Sequence, residues 1–587
     1  MFFKHWHKLA AICVVLIGVL SLSAFAVPDF APGETFEVTN TNDSGDGSLR
    51  QAVLDANDKV GADTIIFSIE PAGSHIITLD SLLPPITEAV TIDGTSQPGY
   101  SSSDEPVIEI TGMEIEIDGT PIEETCSGVE GGRYRDNPGL DVVNNSSGDA
   151  SGTIIMGLKV SYFCQAISVT ASLEKPKLSC LQAADTDLRI SNILVQDNLI
   201  EGNLNGNGAL DLCFAENGII KNNKFFNNGD HMELTRSQHV IVEGNVGEVA
   251  QDAIELVRSQ HIIVQNNRFS NNRRGGIVLV FEASQNEILN NEVTDMAAMG
   301  LTLSNDNVAT GNTIMRSGWF GIELRGASNN TVSDNIVKDN GLGGIAVNAG
   351  TLNGLGDCPT LDENGNPDPP EDCAVKFTVQ NPNVQGDAFN NKILNNEVAN
   401  NNGPGIVVGG RFVDLSGQER SAANNTLSRN IIYDNGGLGI DLTDEAQNVF
   451  FNVEEPLVGI FGQIVLAKGD GVTSNGSAIR ANNGQNFPVL TSAVATPGRL
   501  VVKGTIDTSN PKTVTIEFFA NSEGNPSGHG EGATFLGTVN PNAQGKFTAP
   551  LLPVPVGTFI TATATDAEGN TSEFAENIEA QFPPDQE

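Results

Sequence analysis

Six short runs in the middle of the chain share one pattern, an apolar residue, any residue, then another apolar residue. They are Met232-Glu-Leu, Ile254-Glu-Leu, Ile277-Val-Leu, Leu301-Thr-Leu, Ile322-Glu-Leu and Ile345-Ala-Val. In an extended chain the middle residue points away from its two apolar neighbours. With Asp211 added from the preceding run, the middle positions read Asp211, Glu233, Glu255, Val278, Thr302, Glu323 and Ala346. If these runs are neighbouring parallel strands, Asp211, Glu233 and Glu255 stack about 4.8 Å apart. Like charges so placed destabilise a sheet and require compensation by a cation, by raised pKa values or by arginines. Arg236 and Arg258 follow Glu233 and Glu255 at a common offset, Arg273 and Arg274 precede the next run, and Asp230, His231 and Asp252 stand at the entry to two runs.

Several chemistries are open to this cluster. Asp211, Glu233 and Glu255 could hold Ca²⁺ through oxygen ligands and bridge it to an acidic sugar. Glu233 and Glu255 could serve as acid and base in glycoside hydrolysis. His231, Arg236 or Arg258 could take a proton beside a metal-polarised uronate, as a lyase requires. Alternatively, Glu–Arg pairs simply solvate an outer sheet face. Downstream, Trp319 lies just before Glu323 and Arg325. An indole there can stack on a sugar ring or pack under a loop. Together with Arg273 and Arg274, these three form the candidate substrate-binding set.

The elements that must position these residues are visible as a repeat. The asparagines Asn223, Asn245, Asn267, Asn291, Asn312 and Asn335 each open a second short apolar run about ten residues before the runs above. A period of this size, built from runs too short for helices, describes a solenoid that winds once per repeat. The recurring Asn is expected at a turn, stacked amide over amide and adopting left-handed backbone. The expected fold class is all-β, a right-handed parallel β-helix followed by a small immunoglobulin-like β-sandwich.

Composition bounds the setting. Acidic residues outnumber basic ones by 73 to 31, giving a net charge of −42. Such a surface excludes nucleic acid and anionic lipid as partners and favours divalent cations. Lys4 and Lys8, the apolar Leu9 to Leu22 and the Ala24-Phe25-Ala26 site form a signal peptide pattern over 1–26, so a secreted or cell-surface protein is expected. No later segment approaches 18 uncharged apolar residues. Six cysteines remain in the mature chain, an even number that fits disulfides. Cys358 and Cys373 bracket one insertion and are expected to pair. Cys126, Cys164, Cys180 and Cys213 leave three connectivities open.

In chain order, Ser48-Leu-Arg-Gln51 reads as a capping box. Leu49, Ala52, Val53 and Ala56 form one apolar helical face, a lid for the open first coil. The β-helix is expected over 27–445, its end and a linker over 446–485, and a sandwich of seven strands over 486–587, acting as a spacer or attachment module.

Three phrases carry a resemblance: Asn42-Asp-Ser-Gly-Asp-Gly-Ser-Leu-Arg-Gln-Ala, Ile92-Asp-Gly-Thr-Ser-Gln-Pro-Gly-Tyr100, and Ile560-Thr-Ala-Thr-Ala-Thr-Asp-Ala-Glu-Gly-Asn-Thr-Ser-Glu-Phe574. Together they resemble secreted bacterial β-helix proteins of the pectin-lyase-like kind. The resemblance implies a parallel β-helix with a C-terminal sandwich, in a superfamily of polysaccharide lyases, hydrolases, epimerases and adhesins without catalysis. The pectate-hydrolase motifs are absent from the coils, and Gly528-His529-Gly530 lies in the sandwich. Gly229-Asp230-His231-Met232-Glu233 only echoes the Asp-Pro-His-Glu phrase of mannuronan epimerases. The expected function is an exported monomer that interacts with acidic polysaccharide or a cell-surface glycan through its parallel sheet face. A polysaccharide lyase or glycoside hydrolase, and a non-catalytic surface adhesin or structural protein, are the alternatives.

Overall fold

The computed structural model describes residues 32–117, 120–121, 137–171, 180, 187–203, 208–295, 298–351, 385–409, 411–413, 418–444, 446–449, 464–467 and 469–583. The signal-peptide pattern and the Cys358–Cys373 pairing lie outside them. Among the described residues, three long parallel sheets of 13, 12 and 12 strands run side by side. One coil contributes one strand to each sheet: Ile241–Glu243 to the first, Val246–Glu248 to the second and Asp252–Val257 to the third. Each strand pairs in parallel with its copy on the next coil, as Ile241 does with Ile263 and Val246 with Arg268. The apolar members of each short run face a single continuous interior, where Met232, Leu234, Ile254 and Leu256 are buried. At about 25 cal/mol per Å² of apolar surface, stacking the coils gains what no isolated coil could hold.

Buried asparagines join the coils. Asn223, Asn245, Asn267, Asn291, Asn312 and Asn335 form a ladder in which each Nδ2 donates to the next Oδ1 at 3.0 Å. Each backbone N–H in the ladder donates to that same oxygen. The left-handed position is not the ladder residue but the one before it: Asn222, Gly244, Asn266, Asn290, Gly311 and Asp334 have φ of 55°, 65°, 57°, 55°, 71° and 56°. That residue turns the chain, and the ladder Asn then points into the interior. A second ladder, Asn286, Asn307, Asn330, Asn391 and Asn425, runs along another corner.

At the N-terminal end, the helix Leu49–Asn57 lies over the first coil with Leu49, Ala52, Val53 and Ala56 buried, as its pattern requires. Half of the capping box forms: Ser48 Oγ accepts from Gln51 N–H at 3.2 Å, while the Gln51 side chain turns to Asp55 at 2.8 Å. Arg50 ties the helix to Asp43 and to the Ser81 and Leu82 carbonyls. Cys180 pairs with Cys213 across 5.9 Å between Cα atoms.

The C-terminal region, expected as a spacer, instead closes the other end. It holds a three-stranded and a four-stranded antiparallel sheet, a small β-sandwich with its own core. Six of the seven expected strands form; Thr571–Ile578 is instead irregular apart from Ile578 and becomes part of the contact with the last coil. There the sandwich supplies what the next coil would have supplied. Glu573 accepts the Leu442 and Thr473 N–H groups at 3.0 and 2.9 Å. Glu517 accepts from Ser428 Oγ and Arg429 N–H, and Glu531 accepts from the Asn435 N–H and Nδ2. Asn482 continues the second ladder by accepting from Asn425 N–H at 3.0 Å. Phe519 and Phe574 enter the solenoid core.

Two outcomes test this architecture. Asn267→Ala strands the donors of Asn245, at roughly 1–3 kcal/mol for each buried group left unpaired; hydrogen exchange in the neighbouring coils should accelerate. Exposed Asn271→Ala should leave exchange within the effect of a surface change. Burial pushes Glu573 up to about 8 and Asp441, beside Asp470, up to about 7. Their folded pKa values lie above the unfolded range near 4, so their contribution is complete below about pH 4 and lost as pH rises towards 8. The thermal midpoint should therefore fall between pH 5 and 8, with a shallower slope in Glu573→Gln.

Candidate active site on the third sheet

The third sheet aligns the outward column in the order Asp141, Ser168, Asp211, Glu233, Glu255, Val278, Gly300, Glu323, Ala346, Val407 and Asp441. Gly300 replaces the expected Thr302, because the paired run is Met299-Gly-Leu rather than Leu301-Thr-Leu; Thr302 sits opposite Arg325. Asp211, Glu233 and Glu255 are adjacent, as expected. Gln165 Nε2 donates to Asp211 at 3.0 Å, and Thr235 Oγ1 donates to Glu233 at 2.6 Å.

A second acidic pair flanks the column. Asp230 and Asp252 precede Met232 and Ile254 by two residues each, so they share a position on neighbouring coils. The Asp252 N–H donates to Asp230 Oδ1 at 2.8 Å. Arg274, at the entry to the next strand, folds back over both. Its Nε lies 2.6 Å from Asp252 Oδ2, its Nη2 also contacts that oxygen, and the same Nη2 is 3.7 Å from Asp230 and 4.0 Å from Glu255. The side chains of Asp230 and Asp252 are 1% and 2% exposed, against 18% for Glu255 and 27% for Arg274. Oxygens of Asp230, Asp252 and Glu255 lie within 4.8 Å of one another, so this triad could hold a metal ion. It overlaps the expected ligand set only at Glu255.

Electrostatics follow from this crowding. Burial pushes Glu255 up to about 7, against the pull of Arg274 and with the repulsion of Asp252. Burial, then Asp211 and Glu255, hold Glu233 well above the carboxylate range. Asp230 is raised by burial, which outweighs Arg274. Burial opposes the charge on Arg274, but its three acidic neighbours outweigh that and keep it protonated.

The remaining candidates separate. His231 points inward, between Phe225 and Phe269 at ring distances of 5.4 and 6.4 Å, and burial pulls it down to about 3. It is a core residue and not a base at the sheet face. Arg236 and Arg258 occupy left-handed turns after their strands, and the Arg236 guanidinium lies 5.5 Å over Phe214. Arg273 is exposed beside Arg274. Three rungs beyond Glu255, Arg325 bonds Glu323 through two nitrogens at 3.1 and 2.6 Å, and Asn348 joins them. Trp319 is half-buried against Phe320, Ala346 and Val407. Sequence reasoning placed Asp230 and Asp252 only at strand entries and assigned Arg274 to substrate; the equal 22-residue steps from Asp230 to Asp252 to Arg274 were the available signal.

The coil-by-coil register of three parallel sheets decides the class. The chain is a right-handed parallel β-helix protein. A family model described as periplasmic copper-binding protein (NosD) matches residues 190–355 of this β-helix. A curated 3-dehydroshikimate dehydratase from Acinetobacter baylyi is 29% identical over 230 residues, 35% of this chain and 40% of that protein. The match thus spans about two fifths of that relative's length. Among solved structures, the mannuronan C-5 epimerase AlgE6 A-module of Azotobacter vinelandii is similar with a TM-score of 0.44 and 12% identity, covering 70% of this β-helix chain and 99% of the module. The surface adhesin PfbA of Streptococcus pneumoniae has a TM-score of 0.36 and 11% identity over 74% and 98% of the two chains.

Carboxyl ¹³C NMR on the wild-type chain should show, among the resonances titrating near pH 7, one that Glu255→Gln removes. A midpoint for Glu255 in the ordinary range near 4 would mean the cluster is open to water.

Proposed function

We propose that this protein binds an acidic polysaccharide along the outer face of the third sheet and performs acid–base chemistry on it with Glu233 and Glu255. The observation that carries this reading is the placement of Glu233 and Glu255 side by side on adjacent strands, where burial raises both carboxyls and brings Glu255 to about 7. Carboxyls that only solvate a surface have no reason to be held near pH 7, whereas a general acid or base works best there. Adjacent parallel strands set the two carboxyls about 5 Å apart, near the separation of retaining glycosidases and too close for a water between them. In that scheme Glu233, held protonated by burial, protonates the leaving oxygen and later activates water. Glu255, which ionises near pH 7, attacks the anomeric carbon. Arg274, and Arg258 at the turn, supply positive charge for a substrate carboxylate. His231, Arg236 and Arg258 take no proton in this scheme. Ca²⁺ bound at this face would supply a bridge to uronate carboxylates. The leader pattern at residues 4–26 supports an exported setting.

A second reading, elimination of water from a polyhydroxylated ring acid, is favoured by the 29% identity to a protein named 3-dehydroshikimate dehydratase. The same acid–base pair would then protonate a departing hydroxyl. Purified chain should be incubated with acidic and neutral glycans and cyclic polyhydroxy acids, following reducing ends and ultraviolet absorbance. Hydrolysis raises only the first, whereas elimination raises the second. Glu233→Ala/Glu255→Ala should reduce turnover by about 10²–10⁴-fold. Unchanged turnover in that variant would move the chemistry away from Glu233 and Glu255, and no product from any compound would move the assignment to a non-catalytic binding protein.

A further inference from the structure

The buried triad behind Glu255 has a feature that the proposed chemistry leaves unused. Asp230 Oδ2 and Asp252 Oδ1 are buried and accept no hydrogen bond, although their side chains are 1% and 2% exposed. An acceptor kept dry and unpaired costs roughly 1–3 kcal/mol, and more for a charged group. Arg274 satisfies only part of the site. It commits Nε and Nη2 to a single oxygen, Asp252 Oδ2, and reaches Asp230 and Glu255 only at 3.7 and 4.0 Å. One guanidinium therefore serves three carboxyls and leaves two of their oxygens without a donor.

The spacing suits a different occupant. Oxygens within 4.8 Å of one another fall inside the span of two opposed bonds to one ion at about 2.3–2.6 Å each, the calcium range. Mg²⁺ needs shorter bonds in strict octahedral geometry and gives up its waters reluctantly, so it suits this set less well. Arg274 reaches the triad from the solvent side. Its side chain is 27% exposed on the solvent side, and its backbone is held separately by N–H donation to the Gln251 carbonyl at 2.8 Å. The stem is long enough to turn the head into water.

We propose that Arg274 and a calcium-sized divalent cation are alternative occupants of the Asp230–Asp252–Glu255 triad. The arginine holds the carboxylates together when the ion is absent and swings out when it binds. The exchange stands on the geometry of the triad alone. Its consequence, that calcium switches the charge presented to the substrate beside Glu255, rests on the function proposed above.

Competition gives the test an unusual sign, because deleting a residue in contact with the ligands should tighten binding. Calcium titration by calorimetry, on the full chain without glycan at pH 7.5, compares wild type, Arg274→Gln, Arg274→Lys and Asp252→Asn. Melting curves confirm that each is folded. One site per chain is expected, tightened at least tenfold in Arg274→Gln, close to wild type in Arg274→Lys and lost in Asp252→Asn. Magnesium should bind at least tenfold more weakly. Unchanged or weakened calcium binding in a folded Arg274→Gln overturns the exchange. So does a site that survives Asp252→Asn or does not distinguish the two ions, since that would be the diffuse acidic surface. Because no glycan is present, loss of the hydrolase reading would leave this result untouched, and the reverse also holds.

Discussion

Every coil of this molecule has an open backbone edge and an open apolar face, and both must be answered by the coil above it. The buried asparagines make that requirement local and repetitive. An amide such as Asn267 accepts twice from the preceding ladder residue and donates both to the next ladder residue and to the Val242 carbonyl, with no water in reach. A coil shifted by one residue would present an apolar side chain to those donors and a polar one to the core. The spacing along the third sheet is a consequence, and so is the closeness of Glu233 to Glu255.

The same requirement explains the two ends. A stack cannot stop without exposing unpaired N–H groups and core. The first coil is covered by the helix Leu49–Asn57 and the last by the sandwich, whose Glu517, Glu531 and Glu573, with Asn482 just ahead of it, take the place of a missing rung. The phrases that carry the family resemblance sit largely at these ends. Arg50 bonds Asp43, and Gln97 clamps the Ile69 backbone through both ends of its amide. Glu573 and Phe574 close the far end. Those phrases report how the solenoid is terminated and say nothing of what its face does.

That division accounts for what could be read beforehand. Periodic asparagines and apolar pairs speak directly of coils, because each is forced by the coil next to it. The outward column was legible for the same reason, down to the adjacency of Asp211, Glu233 and Glu255. It slipped at Thr302, where Met299-Gly300-Leu301 and Leu301-Thr-Leu303 satisfy the pattern equally and only pairing separates them. Arg274 was harder still. It stands one residue outside the register of Asp252 and Gly275, so its grip on Asp252 depends on a side chain reaching back across a rung. His231 misled for a related reason, since a polar residue beside an outward Glu suggests the surface, but a bend at the strand entry turns it in.

The ladder passes from Asn335 to Asn396 across 61 residues with an amide contact of 2.9 Å, against 3.0 Å between coils 22 residues apart. The coils that flank residues 352–384 pair in the same register in all three sheets. Architecture and ornament are thus mechanically uncoupled. Loops on this scaffold can lengthen, shorten or be exchanged while Glu255 and Glu233, four and five coils away, keep their separation. Such a chassis lets lineages explore new surfaces by insertion alone, with the spacing of Glu233 and Glu255 unchanged.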